Sequence, residues 1–409
     1  MTAAPALARR PRNGIAPDPE SPWESHRPVA LWLFLCAALV FAMVLIGGIT
    51  RLTESGLSIV EWQPLIGALP PLSEGDWQAL FLKYQTSPQF RHVNQAMTLA
   101  EFKAIFWWEY VHRLWGRLIG AVFLVPFLWF LFTRRISGAL AWKLGLVFAL
   151  GALQGAMGWY MVASGLVDRP EVSQYRLVAH LGLALLIYAL LLWQALKLYL
   201  APPSLSSFVP PPLAGGVKGE GVLPASSTRA AADSQVRPLP LAPSRPFDQG
   251  SGGRGDGNLR RAATALLILV SLTFLAGGFV AGLDAGLLYN TFPLMEGKLV
   301  PVDYGTMTPW WRDWFENRAT VQFHHRVLAI ATLLAILGFA LRARRTAPPP
   351  RLRRVTVALL LLALLQVALG IATLLLVVPV SLAALHQAGA LALITAALWL
   401  RFELSGRAL

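Results

Sequence analysis

Cysteine is nearly missing from this chain: Cys36 is the only one among 409 residues. No intramolecular disulfide, zinc cluster or cysteine-held iron–sulfur centre can form. Charge is scarce too. Asp, Glu, Lys and Arg make up 14% of the residues, where a soluble domain carries roughly 25%. Acidic groups are fewest, 21 against 35 Lys and Arg, for a net charge of +14. That excess would suit nucleic acid if it formed one patch. Instead the basic residues cluster between apolar runs, which is the mark of membrane topology and argues against nucleic acid as a partner.

What is abundant is hydrophobic sequence, 56% of the chain. Charge-free runs of about 20 residues are long enough to cross a bilayer. They fall at Leu31–Thr50, 106–132, 144–167, 177–196, 262–283 and 323–341. The stretch 355–400 is too long for one span, and Pro379 and Ser381 divide it into two. Eight spans place both termini on one side.

One set of connections carries Arg9, Arg10, Arg12, Arg27, Arg134, Arg135, Lys143, Arg260, Arg261, Arg342, Arg344, Arg345, Arg351, Arg353 and Arg354. The other is mixed or acidic: Glu54, Glu61, Glu74, Asp76, Asp168, Glu171, Asp284, Glu296. Lys and Arg mark the cytoplasmic side, so both termini are expected there. The first span is too long for a cleaved signal, and Asp18, Glu20 and Glu24 argue against a transit peptide. A bacterial inner membrane is expected rather than a mitochondrial one. Residues 201–258 are dominated by Pro, Gly, Ser and Ala, as in "PPPLAGG" and "DQGSGGRGDGN". They read as a disordered cytoplasmic linker.

The two sides of that linker repeat one another. "EYVHRL" (109–114) aligns with "QFHHRV" (322–327), and "LQGAMG" (153–158) with "LQVALG" (365–370). "VAHLGLAL" (178–185) aligns with "AALHQAGALAL" (383–393), and "GGITRL" (47–52) is echoed by "GGFVAGL" (277–283). The expected architecture is an all-α membrane protein of eight transmembrane helices, two four-helix bundles as parallel repeats. Its parts are a tail 1–30, a first bundle 31–200, the linker 201–258 and a second bundle 259–409.

The repeat places His112 and His180 in one half and His325 and His386 in the other. Each precedes the basic end of its segment (Arg134, Lys197, Arg342, Arg401) by 15 to 22 residues. At about 1.5 Å per residue that is roughly 22–33 Å, near the far side of a hydrocarbon core about 30 Å thick. A lone intramembrane histidine serves as a helix–helix hydrogen-bond donor or a proton relay. Four at matched depth, two per half on different helices, point instead to axial ligation of a haem iron. His324 competes with His325, but only His325 aligns with His112. His26 and His92 lie in polar flanks.

The stretch "GGITRLTESGLSIVEWQPLIGALPP" (47–71), followed by "WWEYVHRLWGRLIG" (107–120), "QFHHR" and "LHQ", resembles the haem A synthase family. The resemblance spans nearly all the membrane segments and leaves out the linker. It implies oxidation of a methyl group of haem O to a formyl group in two hydroxylations, giving haem A for terminal cytochrome oxidases. It further implies substrate haem O between His112 and His180, a haem b cofactor between His325 and His386, and a catalytic contribution from Glu109. A haem O synthase and cytochrome oxidase assembly factors become expected partners. One branch of the family has a cysteine pair in its outer loops; this chain lacks it, so no thiol–disulfide role for that pair can operate.

The residues themselves point to the same asymmetry. Glu109 and His112 share a helix face, and Gln322 stands where the second half would have the carboxylate. A carboxylate can take a proton or offset positive charge; an amide cannot ionise. Structurally, Glu109 could instead pair with Arg113 or Arg117. Arg113 and Arg326 align, and either bind haem propionates or snorkel to headgroups. The loop 51–104, with Trp62, Pro64, Pro70, Pro71, Trp77 and Tyr84, suits a cap over the haem edge or an aromatic membrane anchor, and 284–320 repeats the theme with Trp310, Trp311 and Trp314. Two other readings are a di-haem electron carrier of cytochrome b type, with no role for Glu109, and a parallel-repeat transporter, which would need broken helices.

Overall fold

The computed structural model describes residues 22–61, 67, 69–165, 172–200 and 252–405. Among them the architecture is helical: α1 (Pro22–Leu52), α2 (Glu74–Gln85), α3 (Pro88–His92), α4 (Leu99–Phe132), α5 (Gly138–Gly165), α6 (Gln174–Tyr199), α7 (Gly252–Gly282), α8 (Trp310–Glu316), α9 (Arg318–Arg344), α10 (Pro350–Leu375) and α11 (Val380–Glu403). No strand occurs among the described residues beyond one isolated bridge, Met295 to Lys298. Eight of the helices are long and apolar enough to span a membrane.

The helices outrun the charge-free segments because hydrogen-bonded caps sit beyond them. α4 begins at Leu99, where Thr98 and Glu101 form a capping box. Asn317 caps α9 by accepting from Ala319 and Thr320. Pro379 ends the α10–α11 connection, as its place in the sequence requires. α7 starts at Gly252 and so takes in residues 252–258 of the segment read as linker. The rest of that segment, most of the N-terminal tail, Trp62, Pro64, Asp168 and Glu171 lie outside the described residues.

α1 packs on α4, α6 and α11, and α7 on α9, α11 and α6. The halves therefore meet reciprocally, α6 against α7 and α1 against α11, as two parallel copies about one axis must. Polar groups pin these contacts. Trp32 Nε1 donates to Val122 O at 2.8 Å and Trp115 Nε1 to Leu39 O at 2.9 Å, tying α1 to α4. Tyr188 and Thr395 hydroxyls meet at 2.7 Å between α6 and α11. Such bonds hold helices together where lipid offers no competing water. The outward faces of α4, α5, α9 and α10 expose large apolar side chains such as Val125, Trp142, Leu334 and Leu361, a surface that suits acyl chains.

Candidate haem-binding sites

In each half, after its first long helix, the chain turns in the same way. Glu54 (φ 53°) and Asp284 (φ 50°) are left-handed, and each opens one 3-10 turn, Ser55–Leu57 and Ala285–Leu287. The loops that follow are hooked by Arg113 and Arg326. Arg113 Nη2 donates to Ile59 O at 2.8 Å and Nη1 to Glu61 O at 3.1 Å; Arg326 Nη2 donates to Tyr289 O at 2.7 Å and Nη1 to Thr291 O at 2.9 Å. Both guanidinium groups thus fasten loops through main-chain carbonyls.

The two loops differ where Glu109 and Gln322 meet them. Both residues are 3% exposed. Glu109 Oε2 accepts from the Ser58 hydroxyl and the Ile59 N–H, each at 2.7 Å, and Oε1 from Arg113 at 2.6 Å. Of the two partners weighed from sequence, Arg113 is the one that pairs with it. Gln322 instead donates to the Ala285 and Leu288 carbonyls and accepts from Arg326. The first loop presents donors to an anion; the second presents acceptors to an amide.

The four histidines share one setting. An added Cβ on Gly47 would come within 2.8 Å of His112 Cε1, on Gly158 within 3.2 Å of His180, on Gly277 within 3.1 Å of His325 and on Gly370 within 2.8 Å of His386. Each ring thus lies in a notch left by a glycine of a neighbouring helix. These glycines stood in the repeated motifs, but their meaning needed the packing. Nδ1 of His112, His180 and His325 is buried without a partner, and His386 Nδ1 lies 3.0 Å from Gln366 Nε2. The four histidines as whole residues are half-buried, and it is Cε1 of each ring that lies nearest the glycine.

His325 and His386 have ring centres 6.4 Å apart and planes at 88°. A metal–imidazole bond of about 2.0 Å, plus about 1.1 Å to the ring centre, sets two axial rings about 6.2 Å apart across one iron. The pair fits a haem. Among the described residues no group of three or more His, Cys, Asp or Glu gathers as a metal site; a porphyrin brings four ligands of its own, so two histidines complete the coordination of its iron. His180 is within electrostatic reach of His112. His324 points elsewhere, to Tyr304 and Trp314.

A family model described as cytochrome oxidase assembly protein matches residues 30–216 and 241–398, taking in all four histidines and both glycine pairs. The chain belongs to the cytochrome oxidase assembly protein family. It is 50% identical to a protein named "Heme A synthase" from Nitrosospira multiformis, over 93% of this chain and 94% of the relative. Proteins of the same name from Nitrosomonas eutropha and Paramagnetospirillum magneticum are each 46% identical, covering 93% and 94% of this chain and 95% of each relative. The family match leaves out 217–240, inside the segment read as linker.

The loops flanking these sites fold differently from each other. Trp77 and Tyr84 are buried against Phe102, Phe106 and Tyr110 on the extended start of α4. Trp310, Trp311 and Trp314 are exposed, where an interfacial aromatic belt would sit. Asp313 anchors that second loop. It accepts from Thr320 at 2.6 Å, Asn317 at 2.8 Å and the Gly305 and Met307 N–H groups. Burial pushes its carboxyl up, but these donors prevail and hold it below the ordinary value.

Proposed function

We propose that this chain is a haem A synthase, an oxidoreductase of the membrane that converts haem O to haem A for a terminal cytochrome oxidase. The observation that carries the reading is the paired histidines with a buried carboxylate on one side only. His112 and His180 bind the substrate's iron and fix its ring against α1 and α5. Glu109 lies one turn from His112 and is held by Ser58, Ile59 and Arg113. It places a fixed negative charge near the carbon being oxidised, where it takes a proton or offsets developing positive charge. Two hydroxylations of that methyl group, each a two-electron oxidation of the carbon by an oxidant from outside the chain, give a geminal diol, and loss of water leaves the formyl group.

His325 and His386 would hold a haem b as resident cofactor. When bound, that haem supplies one-electron transfer. Arg113 and Arg326 keep the overlying loops closed, which limits water near each pair. The basic helix ends face the cytoplasm of a bacterial inner membrane, with both termini there, and a haem O synthase is the expected supplier of substrate.

The deciding experiment is expression in a host that makes haem O, followed by chromatography of haems extracted from the purified protein. Haem O or haem A beside haem b supports the synthase. Two haem b per chain at full occupancy, with no haem A formed, would identify an electron carrier instead.

A further inference from the structure

The two halves fill the space between their first two spanning helices in different ways. In the second half a groove of about 270 Å³ runs between α7 and α9. Ala262, Ala265, Ala335 and Gly338 line it, the buried Phe339 floors it, and Arg342 stands at the end that carries the basic connections. A Cβ added to Gly338 would meet nothing within 4 Å, so the groove is open there. No ion pair among the described residues involves Arg342.

In the first half the same place is filled. Gly47 and Gly277 each seat a histidine and so set α1 in register with α7, as His112 and His325 set α4 with α9. In that register Trp32 answers to Ala262, Val122 to Ala335, Phe130 to Ala343 and Trp129 to Arg342. Trp32 is buried and donates to Val122 O at 2.8 Å. Its ring packs on Phe123 and Phe130, with centres 5.1 and 5.5 Å apart. The indole thus braces α1 against α4. The second half has an alanine in place of that indole, an alanine in place of Phe130, and a guanidinium at the mouth. Snorkelling accounts for an arginine at a helix end. It does not account for the loss, at the same place, of the side chain that fills the counterpart.

We propose that the groove between α7 and α9 binds one anionic phospholipid, with its phosphate on Arg342 and an acyl chain along the helices. From Leu269 to Ala262 the groove spans about two helical turns, roughly 10 Å. That lies within the roughly 15 Å of hydrocarbon that one leaflet provides, so a chain entering beside Arg342 reaches its whole length. An unfilled groove forfeits dispersion contacts along both helices, and an acyl chain restores them. A guanidinium takes a phosphate through paired N–H donors, and basic pockets between membrane helices select acidic headgroups. The lipid does for α7 and α9 what Trp32 does for α1 and α4.

The test uses the full chain purified in detergent and titrated with phosphatidylglycerol or phosphatidylcholine. Native mass spectrometry counts the lipid retained, and circular dichroism follows melting. The protein should retain one phosphatidylglycerol in preference to phosphatidylcholine and melt at a higher temperature with it. Arg342→Gln should weaken that retention about fivefold and remove the preference. Ala262→Trp supplies the indole of the first half; it should exclude the lipid and make melting independent of added phosphatidylglycerol. If Ala262→Trp does not assemble, Gly338→Leu fills the groove from α9 and carries the same comparison. Equal retention of the two lipids by the unaltered chain would overturn the inference. So would phosphatidylglycerol retained unchanged by Arg342→Gln or by the filled groove, since the lipid would then sit elsewhere. A filled groove that changes the oligomeric state and not the bound lipid would make this face a contact between copies of the chain, and would overturn it too.

Discussion

At the residue scale, the same position in two copies has been given opposite hydrogen-bond polarity. Glu109 only accepts, from Ser58, Ile59 and Arg113, whereas Gln322 donates to the Ala285 and Leu288 carbonyls and accepts from Arg326, so each loop matches its own side chain better than the other's. Glu109→Gln brings an amide NH2 against Ser58, Ile59 N–H or Arg113, leaving one donor unmatched at a cost of about 1–3 kcal/mol. The variant should keep its haem, because no ligand changes, and should accumulate haem O in place of haem A. Ser58→Ala separates charge from loop docking. It removes one bond to Glu109 and leaves the carboxylate, so it should retain most of the product yield. Extracted haem per mole of purified protein reads both; equal failure of the two variants would make Glu109 a loop fastener rather than a participant. The histidines give a simpler expectation. His325→Ala or His386→Ala should abolish the bis-histidine haem of the second half, and full low-spin absorbance in both would refute the ligation.

At the element scale, the glycine notches are the features to test. Gly→Ala inside a helix ordinarily stabilises it by about 1 kcal/mol. At Gly370 the added Cβ would sit 2.8 Å from His386 Cε1, against 3.2 Å at Gly158 from His180. Gly370→Ala should therefore keep its helix content by circular dichroism and lose haem, with Gly158→Ala affected less. A Gly370→Ala protein with full haem would show that the ring can give way. The second loop makes a prediction in pH. Asp313 has a folded value below the unfolded one near 4, so it stabilises the loop above that pH and ceases to as pH falls through the folded value. Fluorescence of Trp310, Trp311 and Trp314 should report loop release only below about pH 4, and Asp313→Ala should release it at neutral pH. Much of this scale was legible in the sequence. The eight spans and the break at Pro379 followed from charge and proline. The left-handed turns at Glu54 and Asp284 were not legible, because neither residue is glycine and their φ depends on the loop that Arg113 or Arg326 holds. The start of α4 at Leu99 was hidden by the charges of Glu101, which caps the helix, and Lys103, which pairs with Glu74 over the Trp77 ring.

At the scale of the whole molecule, the question is what joins the halves. Gly278 of α7 packs beside Val178 and Leu181 of α6, and Gly282 beside Gln174. These helices run antiparallel, and about 18 residues separate that contact from Tyr199 on one and from Arg260 on the other. Both helices therefore reach the opposite end of the bundle at similar depth, as neighbours about 8–10 Å apart. Further ties need no linker: Arg51 at the end of α1 bonds Asp284 of the second half at 2.7 Å, and Gln387 of α11 donates to Val44 O at 2.9 Å. A flexible chain of about 20 residues has a root-mean-square reach of roughly 25 Å, more than enough to close the gap. Replacing most of 201–251 by such a segment should leave membrane insertion, haem content and haem A formation intact. Arg51→Leu in the shortened protein should then lower the detergent stability of the assembled halves, since the cross-half ion pair is lost. A shortened chain that inserts and binds haem but forms no haem A would instead give the segment between the bundles a role in the reaction.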